Sequence, residues 1–127
     1  MNRDVHKWFH AIGIDVTEIY GMTEDTGPAT IGVPTNAAES FSKRLKADGI
    51  SIPSVLNPIG KVGIPIPGTE VKIMEDGELC IKGNHVAQGY YKSEEQTAET
   101  FDEDGWLHTG DLAEIDSEGF VKIIGRK

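Results

Sequence analysis

A chain of 127 residues has the size of one ordinary domain, or of one piece of a larger one, and its 38% hydrophobic and 26% charged residues exclude the disordered and membrane classes. A formal net charge of -9 argues against a nucleic-acid backbone as partner, because such binders present a basic surface to phosphates. No apolar run is long enough to span a bilayer, the start from Met1 through Asp4 lacks the character of a signal peptide, and the lone Cys80 fits a reducing, cytosolic setting.

From Asp4 to Ile12, Val5, Trp8, Phe9 and Ile12 fall at helical spacing and Gly13 supplies a stop, which predicts a short amphipathic helix. Ile14, Val16 and Ile19 predict an extended segment that runs into the polar loop from Gly21 to Gly27. Helix, strand and loop together make the edge of an α/β layer, residues 1–33. Pro34 to Asn57 is read as a surface excursion, more mobile than its surroundings, with a short helix around Ala38 to Ala47 and Gly49 as its end. It fills residues 34–59.

From residue 60 to 127 the pattern changes to short strands with close turns, and we expect a small antiparallel barrel or sheet subdomain. Lys61 to Ile64 and Glu70 to Met74 are strands separated by the turn Pro65-Ile66-Pro67-Gly68, and Asp76-Gly77 turns the chain into Glu78 to Lys82. Cys80 sits in that last strand as a small core residue. Ser93 and Gln96 have the spacing of a capping box for a helix carrying Ala98 and Phe101. Leu112 to Ile115 and Phe120 to Ile124, joined by Asp116-Ser117-Glu118-Gly119, form a second hairpin. The fold class is α+β and strand-rich.

Two short constellations carry candidate chemistry. Tyr20-Gly21-Met22-Thr23-Glu24 offers a ring that can stack on a base, a glycine that lets the backbone approach a ligand, a hydroxyl for a phosphate oxygen and a carboxylate for a hard cation. An ordinary turn with a solvated Glu and a packed Tyr reads the same way. In Thr109-Gly110-Asp111 the carboxylate beside a glycine could accept hydrogen bonds from vicinal ribose hydroxyls, or could cap a turn. Arg126, after the last strand, could meet a ribose oxygen or a phosphate, or stand in solvent. His85 and His108 read as packing or surface residues, neither having a carboxylate or second histidine placed by sequence to complete a site.

The ordered blocks YGMTE, GELCIKG, QGYYKSEEQTAETF, DGWLHTGD and EIDSEGFVKIIGRK resemble the adenylate-forming (AMP-binding) superfamily, which includes acyl-CoA synthetases, firefly luciferase and peptide adenylation domains. The resemblance runs from Ile19 to Lys127, broken between Pro34 and Asn57, and GMTE with WLHTGD is most like a long-chain fatty acyl-CoA synthetase. It implies an AMP-forming ligase in a longer parent, cytoplasmic and membrane-peripheral, that uses ATP, Mg²⁺, a fatty acid and coenzyme A. A non-catalytic binding domain on the same scaffold, a luciferase-like enzyme and a peptide-adenylating enzyme are the alternatives.

By the same resemblance Tyr20 stacks on adenine with Gly21 beside it, Thr23 touches the phosphate chain and Glu24 holds Mg²⁺, these last two being the catalytic candidates. Asp111 takes the ribose hydroxyls and Arg126 the ribose and α-phosphate region. Trp106 and the glycine-bearing blocks from Gly77 to Gly83 and Gly89 to Tyr91 are scaffold. The family's lysine-terminated phosphate loop, its hinge and its catalytic-lysine domain are expected in the rest of the parent chain. By itself this polypeptide should give no ATP–pyrophosphate exchange above a denatured control.

Overall fold

The computed structural model describes residues 2–33, 43, 46, 47 and 58–127. Helix α1 spans Arg3–Ala11, where the Asn2 side chain accepts from the Asp4 N–H at 2.8 Å and Gly13, at φ +79°, turns the chain away. The helix is amphipathic as its spacing predicts, but its apolar stripe is open: Val5, Trp8 and Ile12 are each about half exposed or more. The residue it buries is His6, whose Nε2 lies 2.7 Å from the Val16 carbonyl. The expected strand through Ile14 and Val16 does not form, and that carbonyl is engaged by His6 instead of a ladder.

A first antiparallel sheet contains β1 (Ile19–Met22), β2 (Gly27–Ile31) and β3 (Ile64–Pro65), in that order. The register of β1 on β2 shifts between Tyr20 and Gly21. This bulge requires glycine, since a Cβ at Gly21 would stand 1.9 Å from the Gly27 carbonyl oxygen. β3 is only two residues long and ends in Pro65; the neighbouring Val62, expected in a longer strand, exchanges backbone bonds with the far end of the molecule, Val62 N–H to the Val121 carbonyl at 2.8 Å.

The second sheet is an antiparallel meander of β4 (Thr69–Ile73), β5 (Glu78–Gly83), β6 (Leu107–Ile115) and β7 (Val121–Arg126). The predicted Asp76-Gly77 turn joins β4 to β5, with Gly77 at φ +86° and the Asp76 carboxylate accepting from the Glu78 N–H. Helix α2 (Glu94–Thr100) precedes β6. Its capping box is not made: the Ser93 hydroxyl donates to the Gln96 side chain at 2.9 Å and leaves the backbone uncapped. The expected helix around Ala38 to Ala47 falls largely outside the described residues.

β5 is central in its sheet and buried on both faces, from Glu78 to Ile81. With strand period 2, Leu79 and Ile81 share one face and Glu78 and Cys80 the other. Leu79 packs with Ala113 and Val121, and Ile81 packs with Leu107 and with Ala29 of β2, so the two sheets share a core. Tyr20 touches both groups. Cys80 is fully buried, and burial, then the Glu78 charge, pushes its thiol up to about 11, which suits an inert core residue. No helix among the described residues is long and apolar enough to cross a membrane.

Because Leu79 is wholly enclosed, Leu79→Ala should cost about 2–5 kcal/mol. Ile124→Ala, at a half-exposed position of β7, should change stability by no more than about 0.5 kcal/mol. Denaturant midpoints of the two variants check the contrast.

Candidate nucleotide site

The centre of the site is a carboxylate at the seam between the two sheets. Asp111 lies within β6, one residue after Gly110 at φ +71°, and not in a turn ahead of the strand. Its backbone N–H is held at 3.1 Å by the Thr109 hydroxyl, which itself donates to the buried Leu79 carbonyl at 2.7 Å. The Tyr20 phenol, reaching from β1, donates to Asp111 Oδ2 at 2.6 Å. Arg126 is the register partner of Asp111 on β7, and its guanidinium donates to Oδ1 at 3.2 Å. Three sequence-predicted residues up to 106 positions apart thus meet on one carboxylate, which is only 14% exposed while the Arg126 side chain is 74% exposed.

Burial, reinforced by the bond to Asp111, pushes the Tyr20 phenol well above its ordinary value. It is therefore a fixed donor across the whole neutral range. One edge of its bonding is spent on the carboxylate, and its ring packs in the core clusters of both sheets.

Thr23 and Glu24 belong to a single 3-10 turn, Thr23–Asp25, between β1 and β2. The turn is shaped by Asp25, a fully buried acid that sequence reasoning passed over. Its Oδ1 accepts from the Met22 and Gly27 N–H groups, both at 3.1 Å, closing the turn from inside. Thr26 follows in the left-handed region at φ +64° and donates to the His85 carbonyl at 2.7 Å. The Ala87 N–H bonds to the Glu24 carbonyl at 2.7 Å, so the segment after β5 is stitched to the turn. Glu24 is half-buried, and the Tyr90 phenol donates to its Oε1 at 2.6 Å. That bond pushes the Tyr90 phenol upward.

Glu24 does not join the Asp111 group; its side chain bonds to Tyr90 instead. Gly21 and Thr23 line an open groove of about 400 Å³ with Ile19, Met22, Gly27 and Pro28, and the close approach that Gly21 permits is that of β2. A larger cavity of about 610 Å³ between β4, β5 and the 101–105 turn contains none of the predicted site residues. Its link to a predicted site residue is the backbone bond from Ala87 to the Glu24 carbonyl, and we assign it no part in the site.

The blocks read as scaffold therefore supply a contact to the site. Tyr90 was legible only as one of two tyrosines in a turn-like stretch, with nothing local to mark its reach to Glu24. His108 is a correction. It has carboxylates beside it, Glu78 Oε2 at 3.1 Å from Nδ1 and Asp102 Oδ2 at 3.7 Å from Nε2, brought there by strand pairing that sequence separation concealed. Trp106 packs as expected, with Lys72 Nζ 4.1 Å from its ring centroid.

Of the three tyrosines, Tyr20 should stay un-ionised at about pH 11, where a free phenol of pKa about 10 is mostly ionised. In the unfolded chain it loses its proton first, so its contribution to stability is complete below about pH 10 and falls as pH rises beyond that. Alkaline absorbance titration of wild type and Tyr20→Phe checks this: the two curves should coincide up to about pH 11 and separate only above it.

Residues 1–91 match the AMP-binding enzyme family. The chain is 36% identical over 126 residues to the long-chain-fatty-acid–CoA ligase ACSBG2 of Gallus gallus, covering 99% of this chain and 14% of that protein. Among solved structures it superposes on the O-succinylbenzoate coenzyme A synthetase of Bacillus subtilis in complex with AMP, with a TM-score of 0.72, 27% identity, and coverage of 98% of this chain and 30% of the other. On a Mycobacterium tuberculosis fatty acyl CoA synthetase the TM-score is 0.71 and the identity 28%, covering 99% and 23% of the two chains. The chain thus spans a minor part of each relative's length. Its matched residues and its fold together make it a member of the AMP-binding enzyme family.

Proposed function

We propose that this chain is part of an ATP-dependent fatty acid–CoA ligase and supplies its adenine, ribose and magnesium–phosphate contacts. The observation that supports this best is the Asp111 carboxylate held between the Tyr20 phenol and the Arg126 guanidinium. Each oxygen has one donor already and lone pairs remaining, so the pair can accept from two vicinal hydroxyls without reorienting. Arg126 spends one N–H on Asp111 and is exposed, which leaves donors for a ribose oxygen or the α-phosphate. Tyr20 lends its ring to adenine, and Gly21 keeps the bulge that carries it.

Thr23 is exposed at the start of its turn and can donate to a phosphate oxygen. Glu24 suits Mg²⁺, a hard cation that takes one or two carboxylates together with substrate phosphates, and Tyr90 orients that carboxylate from one side. Bound there, the cation would neutralise charge developing on the phosphates. The exposed apolar stripe of α1 and the small share of each relative that the chain spans both fit a piece that packs against the rest of its parent.

In the whole protein a fatty carboxylate oxygen attacks the α-phosphorus of ATP and pyrophosphate departs with the electron pair of the broken P–O bond. The CoA thiol then forms its bond to the acyl carbon, loses its proton to solvent, and AMP leaves. Positioning and charge stabilisation dominate the first step, so the groups that fix the nucleotide matter more than a general base. The reading places the enzyme in the cytoplasm, in fatty acid metabolism.

The ribose contact is tested in the full-length parent. Asp111→Ala should lower kcat/KM for ATP roughly tenfold to a hundredfold, the range for hydrogen bonds to a charged group. Wild type should prefer ATP over 2′-deoxy- and 3′-deoxy-ATP, and the variant should lose most of that preference with little change in its fatty acid dependence. An unchanged ratio between ATP and its deoxy analogues would place the ribose elsewhere.

A further inference from the structure

Glu78 is a buried acid outside the predicted site, 5% exposed at the start of β5, and it collects three partners. Its Oε1 accepts from the Gly110 N–H at 2.9 Å, and its Oε2 lies 3.1 Å from both Lys127 Nζ and His108 Nδ1. Gly110 immediately precedes Asp111, and Lys127 immediately follows Arg126. The Lys127 N–H also bonds to the Gly110 carbonyl at 2.8 Å, so the two neighbours of the carboxylate–guanidinium pair are tied to each other and to one acid.

Burial alone would raise the Glu78 carboxyl, but the bonds from His108, Gly110 and Lys127 outweigh it and hold the group below the usual carboxylate range. It is thus an anion throughout the neutral range. Glu78, Cys80 and His108 have donor atoms within 4.8 Å of one another, a spacing that a metal could use. The Lys127 ammonium already stands at the same oxygen, with Asp76 as its second carboxylate partner, so the positive charge this acid needs is supplied by the chain.

We infer that Glu78 is a positioning residue for the nucleotide grip, fixing Asp111 through Gly110 and Arg126 through Lys127. The inference rests on the proposed ribose and phosphate contacts of those two residues. The two carboxylate oxygens divide the work. Oε1 sets the left-handed Gly110, and with it the direction in which Asp111 leaves the strand, while Oε2 restrains the chain next to Arg126. An uncharged amide at position 78 can keep the first bond through its carbonyl but loses the charged partner of Lys127. Alanine loses both.

The test uses the full-length parent with Glu78→Gln, Lys127→Gln, the double variant and Glu78→Ala. Each Gln variant should raise KM for ATP about three- to tenfold, a modest share of a charge-assisted bond because Lys127 is half exposed, with KM for the fatty acid unchanged. The double variant should be no worse than the poorer single, since both remove the Glu78–Lys127 pair and only Lys127→Gln also removes the pair with Asp76. Glu78→Gln should keep the preference for ATP over its deoxy analogues, and Glu78→Ala should lose it; where Glu78→Ala does not fold, the two Gln variants and their double carry the test. An unchanged KM for ATP in Glu78→Gln, or single effects that multiply in the double variant, would overturn the inference. Asp111→Ala run alongside separates the two failures. If it spares the deoxy preference, the ribose reading falls; if it abolishes that preference while the Glu78 variants leave KM for ATP intact, the positioning role alone falls.

Discussion

The bond from Tyr20 to Asp111 spans 91 residues of chain and joins β1 of one sheet to β6 of the other at 2.6 Å. A carboxylate set into such a seam is tolerable only if donors reach it, because an unpaired buried charge costs several kcal/mol, roughly the whole margin of a small domain. The phenol comes from the core side and the guanidinium from the open side. Of the two, the phenol bond ties one sheet to the other, since Arg126 on β7 belongs to the same sheet as Asp111. The apolar packing behind it follows the same line: Tyr20 contacts the group around Ile81 and Leu107 and the group around Leu79 and Val121.

Three acids are held by different sets of donors, and each has a different charge arrangement. Asp25 has only neutral donors, the Met22 and Gly27 N–H groups, and closes a turn. Glu78 has the Gly110 N–H and an ammonium. Asp111 has a phenol and a guanidinium, and of the three it alone keeps partners that a ligand could share. In a chain of net charge -9, the proposed polyanion contacts would depend on such local arrangements. Some of its acids are paired locally, Asp116 with Lys61, Glu114 with Lys122 and Asp76 with Lys127, and these pairs offset part of the negative charge.

The sequence was legible where the physics is local. The α1 spacing, the Asp76-Gly77 turn and the 116–119 turn are written within a few residues, and each forms where expected. The ordered blocks identified Tyr20, Asp111 and Arg126, whose convergence depends on the pairing of β6 with β7 and on β1 reaching across. What stayed hidden is non-local. Tyr90 reaches Glu24 over 66 residues and His108 reaches Glu78 over 30, and neither pairing leaves a periodic trace in the chain. Ser93 misled in the opposite way, its spacing to Gln96 being right for a cap while the two side chains satisfy each other.

Gly21 is a motif residue that also carries a constraint within the fold. In sequence it suggests room for a ligand, yet the atom nearest to a Cβ there is the Gly27 oxygen, so the strand pair itself forbids any side chain. The constraint still serves the site. With the bulge between Tyr20 and Gly21, the chain changes register just after the phenol, which keeps Tyr20 in the Asp111 seam while the following residues turn out toward the Thr23–Asp25 segment. The extra residue of the bulge is Ala29 on β2, skipped between the Tyr20–Thr30 and Gly21–Pro28 pairs; a straight ladder would carry the Tyr20–Thr30 register unchanged into the turn. The glycine thus stands between the Tyr20–Asp111 seam and the Thr23–Asp25 turn, at a position where backbone geometry alone excludes a side chain.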